Sequence, residues 1–300
     1  MALKIIKAEE PIKVNQLVVV IYGPPGIGKT TLSFSSDASV LLDFDKGVYR
    51  AMNRKDSVPV TSWQDVTNIT PEDLAPYKTV IVDTAGRALD FLTVNIIRND
   101  PKKGTGGTLT LQGYGVLKSQ FASWLTSLKL IGKDVVLIAH SSEEKNGDDM
   151  LERLDVQGGS KGEIYKSADA MGRIRLVNGQ RILSFSPSDT AFGKNPGCLD
   201  ALTIPDPNIE PDFLAGVIQQ IKDKLNALTV EQQKRQKAIA DWMAKIDEAK
   251  TADDFTQLAG ESKGVDSGIS AIVKGQINKE AIKAGFEFNK SLMAYTEAAA

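Results

Sequence analysis

One eight-residue stretch near the start of the chain constrains the fold more than any other feature. It reads Gly23-Pro24-Pro25-Gly26-Ile27-Gly28-Lys29-Thr30 and matches the phosphate-loop pattern G-x-x-x-x-G-K-[ST]. Glycines let successive backbone N–H groups turn toward phosphate oxygens, where a Cβ atom would block the approach. An apolar, β-branched run at residues 17–22 precedes the loop and predicts a buried parallel strand. The chain is therefore expected to bind a nucleoside triphosphate.

Individual residues of the loop are expected to contact the phosphates and the Mg²⁺ ion of that ligand. Lys29 is expected to reach the β- and γ-phosphates, and the Thr30 hydroxyl to ligate Mg²⁺. A helix beginning at about Gly28 would point its positive end at the same anion. The predicted nucleotide-binding residues are Gly23, Pro24, Pro25, Gly26, Ile27, Gly28, Lys29, Thr30 and Thr31.

The composition excludes several classes of protein and of site. A net charge of −2 over 300 residues excludes a bulk polycation, so a nucleic-acid contact would need a local patch. A single cysteine, Cys198, excludes an internal disulfide framework and is typical of a reducing cytosol. A single histidine, His140, excludes a multi-histidine metal site. Neither a signal peptide nor a membrane-spanning apolar run is evident, so we expect a cytoplasmic protein without membrane contact.

Further buried strands follow the loop, and two of them end in carboxylates. Residues 40–45 end in Asp43 and Asp45, and residues 79–84 contain Asp83. An apolar strand ending in Asp, about 53 residues after a phosphate loop, predicts the second Mg²⁺ contact. A fourth strand, residues 134–140, ends in His140. In open parallel sheets ligands lie at this carboxyl edge, so we expect these side chains to meet there.

The remaining elements complete an α/β fold with a mostly parallel sheet. We predict a short edge strand at residues 3–7 and a mobile basic loop at 99–108. Asn178-Gly179 lies between two alternating runs and predicts a terminal hairpin. The polar segment 141–161 shows no strand periodicity. The predicted helices span residues 63–74, 86–98, 114–130 and 164–171.

The composition changes after about residue 205. Residues 212–227, 229–249, 251–259 and 270–295 are predicted to be helical, and no strand signal occurs among them. We therefore predict an ATP-binding core at residues 1–205 and a helical C-terminal region at residues 206–300.

These motifs together resemble a known family. The phosphate loop, Leu42-Asp43-Phe44-Asp45, Val82-Asp83-Thr84 and Ile138-Ala139-His140 follow the order of a RecA-type ATPase core. More narrowly, they resemble phage-encoded RecA/RadA-like nucleotide-binding proteins, which include proteins of single-strand annealing and recombination. The resemblance covers residues 1 to about 200.

The resemblance implies a role for each matching position. Asp45 would orient the attacking water, although it is one methylene shorter than the family's glutamate; capping a turn is the alternative. His140 would sense the γ-phosphate, unless it only satisfies its ring nitrogens at the sheet edge. Gly193-Lys194-Asn195 resembles the finger of RadA-like proteins, in which a lysine reaches the neighbouring subunit's nucleotide, although Pro196 replaces the usual arginine. The resemblance also implies ATP and Mg²⁺ as ligands, and a homo-oligomer with ATP at its subunit interfaces.

Two function classes stay open at this point. One is a DNA-dependent ATPase that acts on single-stranded DNA in phage recombination or annealing. The other is a nucleotide-driven switch or loader for a partner, such as a phage annealing or single-strand-binding protein, with little hydrolysis. For the first class we predict polynucleotide contacts at Lys161, Tyr165 and Lys166, with a solvated surface loop as the alternative. A kinase is a distant third class, because residues 99–108 offer lysines but no arginine for a phosphate lid.

Overall fold

A computed structural model describes residues 13–147, 149–156 and 161–297. It divides into two compact units, a larger one of residues 14–225 and a smaller one that contains residues 226–297. The division falls later than residue 205 because the first turns of the helix Phe213–Glu248 pack into the larger unit's core through Leu214, Val217 and Ile221. The strand predicted at residues 3–7 lies outside the described residues.

The larger unit is built on one twisted sheet. Its spatial order is β3 (Ser57–Pro59), β2 (Ser39–Asp43), β4 (Thr79–Asp83), β7 (Asp134–Asn146), β1 (Val18–Gly23), β9 (Ala170–Val177), β10 (Gln180–Ser184) and β11 (Leu202–Thr203). The strands from β3 to β9 are parallel, and β10 and β11 are antiparallel. Two further short strands, β5 (Gly104–Thr105) and β6 (Thr108–Leu109), pair only with each other. The predicted α/β P-loop fold is confirmed.

Helices cover both faces of the sheet. They are α1 (Lys29–Ser33), α2 (Trp63–Thr67), α3 (Ala85–Asn99), α4 (Leu111–Leu130), α5 (Lys161–Ser167) and the first turns of α6 (Phe213–Glu248). Alternate residues of β1 enter different cores: Val20 packs with α3 and α4, and Ile21 packs with α1 and α6. Because a strand's side chains alternate between faces, burial of the whole of β1 requires this double cover. Phe121 and Trp124 of α4 lie in the core, as predicted.

The register of the central strands sets the site. Gly23 at the end of β1 pairs with His140 of β7, and Asp43 of β2 pairs with Asp83 of β4. Strand β7 lies between β1 and β4. His140, within β7, therefore lies level with the carboxyl ends of β1, β2 and β4 along one edge.

The segment 141–161, predicted to lack strands, contains a β-hairpin. Strand β7 continues past His140 to Asn146, and β8 (Asp149–Leu154) returns antiparallel to it. The prediction is wrong because charged side chains follow one another on both strands, so no apolar alternation marks the pairing. The hairpin predicted at Asn178-Gly179 is confirmed: both residues have positive φ, 50° and 78°, and Val177 pairs with Gln180.

One predicted helix and one predicted loop of the larger unit differ from the expectation. The helix predicted over residues 63–74 ends at Thr67; Ser62 and Asp65 form a capping box at its start. Residues 70–73 form a turn instead, in which Thr70 N donates to Asp73 Oδ2 at 2.9 Å. Pro71 accounts for the difference, because the residue before a proline disfavours the helical region. The segment predicted as a mobile loop, 99–108, contains a 3₁₀ helix, Pro101–Lys103, and the start of the β5–β6 hairpin.

The smaller unit is helical with one terminal hairpin. The two helices predicted at 212–227 and 229–249 are one continuous helix, α6, followed by α7 (Ala252–Glu261) and α8 (Ser267–Lys283). The helix predicted to reach residue 295 stops before Gly285, whose φ is 88°. Strands β12 (Phe286–Asn289) and β13 (Ala294–Glu297) follow, so the expectation of no strand is wrong. Of the helices described, none combines the length and apolarity needed to cross a bilayer.

Candidate nucleotide-binding site

The phosphate loop connects β1 to α1 in a conformation that requires glycine at two positions. Gly28 has a φ of 92°, in the left-handed region, and a Cβ there would lie 2.5 Å from Arg181 Nη1. A Cβ on Gly23 would lie 2.8 Å from the Ile174 carbonyl oxygen. At Gly23 the backbone carbonyl leaves no room for a Cβ atom, and at Gly28 the positive φ would strain a residue with a side chain.

Lys29 is buried inside this loop. Its Nζ donates to the carbonyl oxygens of Gly23 at 2.9 Å and Pro24 at 2.8 Å, and only 5% of the residue is exposed. Burial lowers the pKa of Lys29 to about 8, although Asp83 and Asp45 favour the charged form. Two carbonyl groups of the loop thus hold the ammonium group in place, and from there it can pair with phosphate oxygens.

Thr30 and Asp83 are adjacent, as a shared metal site requires. The Thr30 hydroxyl donates to Asp83 Oδ2 at 2.8 Å. Burial raises the pKa of Asp83 to about 6; nearby Asp45 and Asp43 add to the rise, and Thr30 and Lys29 oppose it. A carboxylate desolvated beside other carboxylates is stabilised by a divalent cation.

The donors present fit Mg²⁺ bound together with a nucleotide. Within the described part of the chain, no three His, Cys, Asp or Glu side chains gather as a self-contained metal site. Mg²⁺ usually takes one or two protein oxygens and completes its shell with phosphate and water. Thr30 and Asp83 supply such a pair.

A cleft of about 410 Å³ opens over these residues. Its lining comprises Pro25, Gly26, Gly28, Lys29, Thr30, Thr31, Asp45, Gly47, Arg50, Ala51, Asp83 and His140. Three of the predicted nucleotide-binding residues lie outside this lining. Gly23 and Pro24 instead hold Lys29 through their carbonyl groups, and Ile27 packs against the apolar core.

Asp45 faces the cleft between two arginines. Arg50 Nη2 lies 3.4 Å from Asp45 Oδ2, and Arg87 Nε lies 3.5 Å from Asp45 Oδ1. The neighbouring Asp43 differs, because its carboxylate accepts hydrogen bonds from the backbone N–H groups of Gly47 and Val48 at 3.0 and 3.3 Å. Asp43 therefore fixes the turn after β2, and Asp45 is the carboxylate of the two that lines the cleft.

His140 lies beside the phosphate-binding lysine. The Nδ1 atom of His140 is 3.3 Å from Lys29 Nζ. His140 itself lies in the middle of β7 and not at a strand end. Burial lowers the pKa of His140, and the Lys29 ammonium lowers it further. A neutral imidazole at pH 7 follows, able to accept or donate a hydrogen bond toward a terminal phosphate.

Lys194, predicted to act on a neighbouring subunit, is engaged within its own chain. Its Nζ donates to the carbonyl oxygens of Tyr165 at 2.5 Å and Ala168 at 2.6 Å, at the C-terminal end of α5. Carbonyl groups at a helix C-terminus attract cations, so this contact caps α5. The structure thus gives Lys194 a contact within its own chain, and its action on a neighbouring subunit stays a prediction.

The three residues predicted to contact a polynucleotide are also largely engaged. The Tyr165 ring packs against Phe192 with centroids 4.6 Å apart, and its hydroxyl accepts a hydrogen bond from Leu154 N at 3.4 Å. Lys161 pairs with Glu144, and Lys166 pairs with Glu163 at 3.2 Å while remaining mostly exposed. Tyr165 therefore already packs against Phe192 within its own chain, and its contact with a polynucleotide stays a prediction.

Sequence reasoning missed three arginines near the site. Arg50 and Arg87 hold Asp45, and Arg181 of β10 lies against the loop at Gly28. Nothing in their spacing separates them from surface arginines. Only the turn after β2 and the pairing of β10 with β9 bring Arg50 and Arg181 to the loop.

Comparison with known proteins identifies the family of this chain. No curated protein matches the chain. A solved structure, described as a prototypical ATPase from the type III secretion system of pathogenic bacteria, is similar at 12% identity with a TM-score of 0.33. That match covers 53% of this chain and 51% of the other, so the chain spans about half the length of that protein. The profile of a family described as "AAA domain" matches residues 15–196, more than half of the chain. The chain therefore belongs to the AAA domain family.

Proposed function

We propose that this AAA domain protein binds ATP with Mg²⁺ and hydrolyses it. The observation that supports the proposal most is the meeting of Lys29, Thr30 and Asp83 in one cleft, with the threonine hydroxyl 2.8 Å from the carboxylate. Phosphoryl transfer depends mainly on positioning and charge stabilisation, which these three groups supply.

Each residue has a distinct task in this proposal. Lys29 neutralises charge on the β- and γ-phosphates, and Thr30 and Asp83 would hold Mg²⁺, which spreads the negative charge of the transferring group. Asp45 orients the attacking water and accepts its proton. Arg50 and Arg87 fix the position of the Asp45 carboxylate by ion pairing from two sides.

Phosphate release from Mg-ATP by the full chain tests hydrolysis directly. We expect Lys29→Ala to lower turnover on the order of 100-fold or more, because a charge-stabilising group is lost. Lys102→Ala is the matched control: it removes the same charge from an exposed 3₁₀ helix and should leave turnover unchanged. Equal turnover in the Lys29 variant would refute the assigned site. Nucleotide binding without phosphate release from the wild-type chain would refute hydrolysis.

We further propose that a polymer regulates turnover, with single-stranded DNA as the first to test because of the resemblance to RecA-like proteins. His140 supports a coupling route: the β7–β8 hairpin begins immediately after it, in the same strand. Stimulation of phosphate release by single-stranded DNA, lost in His140→Ala while nucleotide affinity is kept, is the expected result. Identical turnover with and without DNA would contradict it.

The hairpin's charge favours a second candidate, the nucleotide-driven switch for a partner protein. Past His140, its two strands carry four acidic residues, Glu143, Glu144, Asp149 and Glu152, against two basic ones, Lys145 and Arg153. This acidic excess weakens attraction to a phosphate backbone. Such a switch would bind a partner differently with ATP than with ADP. A difference in partner affinity between the two nucleotides, without DNA stimulation, would favour this candidate.

A further inference from the structure

The C-terminal unit contains a cavity that the nucleotide-binding site does not use. Its volume is about 460 Å³, and residues of α7, α8 and the β12–β13 hairpin line it. Cavities of a few hundred Å³ are large enough for a bulky side chain and adjoining backbone of a ligand. All of its lining residues belong to this one unit.

The interior of this cavity is apolar and partly aromatic. Ile277 and Tyr295 are buried, and Phe288 packs edge-on against Tyr295 with centroids 5.2 Å apart. Phe288 and Met293 also line it but remain 38% and 61% exposed. An apolar ligand that covers these side chains would remove them from water, and this burial would stabilise the complex.

The charged groups of the lining are all of one sign. Lys263 and Lys274 line the cavity, and no carboxylate does. Two nearby acids already have partners: Glu261 lies 3.7 Å from Lys245, and Glu280 lies 2.7 Å from Lys283. Within the described residues, no ion pair involves the ammonium group of Lys263 or Lys274, so both can pair with an anionic ligand.

We propose that this cavity binds a short acidic segment of a partner protein that carries a large apolar side chain. The apolar side chain would fill the space between Ile277, Phe288 and Tyr295, and carboxylates of the segment would pair with Lys263 and Lys274. The two lysines favour an anionic ligand by charge complementarity. The apolar interior favours a peptide, because a nucleic-acid site needs a stripe of basic residues that follows the phosphate backbone.

Fluorescence anisotropy with the full chain tests this proposal. The probe is a fluorescein-labelled peptide of four aspartates followed by leucine and phenylalanine. We expect saturable binding that weakens with salt. Replacing the aspartates by asparagine, or both apolar residues by alanine, should each weaken binding roughly tenfold or more, because each change removes one of the two recognised features.

Matched charge reversals locate the site. Lys274→Glu should weaken binding of the acidic peptide roughly tenfold, and Lys279→Glu on the same helix, outside the lining, should change it less than about twofold. Met293→Ser removes an exposed apolar side chain without emptying the core and should also weaken binding. Circular dichroism checks that each variant is folded.

Several outcomes would overturn the proposal. They are no saturable binding of the peptide, equal loss in the two lysine variants, or equal binding of the asparagine peptide. Displacement of the peptide by a single-stranded oligonucleotide, with the same dependence on Lys274, would show a nucleic-acid surface instead. None of these outcomes depends on ATP hydrolysis, so the proposal can fail or hold independently of the proposed function.

Discussion

Asp83 is expected to reduce the stability of the protein in the absence of metal, and Asp83→Asn should reverse that effect. Burial raises its pKa from 3.8 to about 6. A raised pKa stabilises the fold only while the group is protonated, so this contribution is complete below about pH 4 and is lost as the pH rises through 6. A difference of about two pKa units at about 1.36 kcal/mol each amounts to roughly 3 kcal/mol.

The asparagine variant keeps the local geometry and removes the charge. Its side-chain oxygen can still accept the hydrogen bond from Thr30. We therefore expect Asp83→Asn to be more stable than wild type at pH 8 by about 2–3 kcal/mol, and equally stable near pH 4. For a unit of this size, this difference in free energy of unfolding corresponds to a rise in Tm of about 4–12 °C at pH 8.

Thermal unfolding of the full chain, free of nucleotide and in the presence of a chelator, measures the effect between pH 4 and 8. Excess Mg-ATP should reverse the order of stability, because only the carboxylate binds the metal tightly and ligand binding stabilises the folded state. Asp65→Asn provides a control of opposite sign. Hydrogen bonds from Thr61 and Ser62 lower the pKa of Asp65 to about 2. That aspartate stabilises the fold above about pH 4, so Asp65→Asn should be less stable than wild type by the same amount throughout the measured range.

Two results would refute the reasoning. One is an Asp83→Asn variant less stable than wild type at pH 8. The other is a stability difference that does not vary between pH 4 and 8. Either would show that the folded-state pKa of Asp83 is not raised by burial.

Three further predictions concern Asp45, Arg181 and Lys194. Asp45→Asn should bind ATP with unchanged affinity but hydrolyse it roughly 100-fold more slowly, measured by single-turnover phosphate release; normal hydrolysis would remove Asp45 from the water-orienting role. Arg181→Gln should weaken nucleotide binding several-fold by calorimetry, because its guanidinium lies against Gly28, and Arg175→Gln, exposed on the same hairpin, should not. Lys194→Ala should lower the Tm because two carbonyl groups at the end of α5 lose their donor. Restored phosphate release on mixing it with Lys29→Ala would instead support ATP bound between subunits of a homo-oligomer.

The local features of this chain could be predicted from its sequence because each depends on neighbouring residues. The phosphate loop needs glycine where its backbone has a positive φ, and the Asn178-Gly179 turn needs two adjacent residues with positive φ. The central strands are apolar throughout because helices cover both faces of the sheet. Asp83 was predicted to bind Mg²⁺ from its position at the end of such a strand, and the structure places it beside Thr30.

The tertiary structure decided which of the polar residues meet. Lys29 and His140 are neighbours because β7 lies next to β1, and Asp45 is paired with Arg50 and Arg87 because of the turn after β2 and the start of α3. These contacts depend on strand order and on side-chain reach, and neither leaves a periodic signal in the sequence. The same reason accounts for Lys194. The sequence around it resembles the finger of RadA-like proteins, and its ammonium group donates to the carbonyl groups at the end of α5. Charged strands such as β8, and a terminal pair such as β12 and β13, are fixed by backbone pairing, which the order of side chains alone does not show.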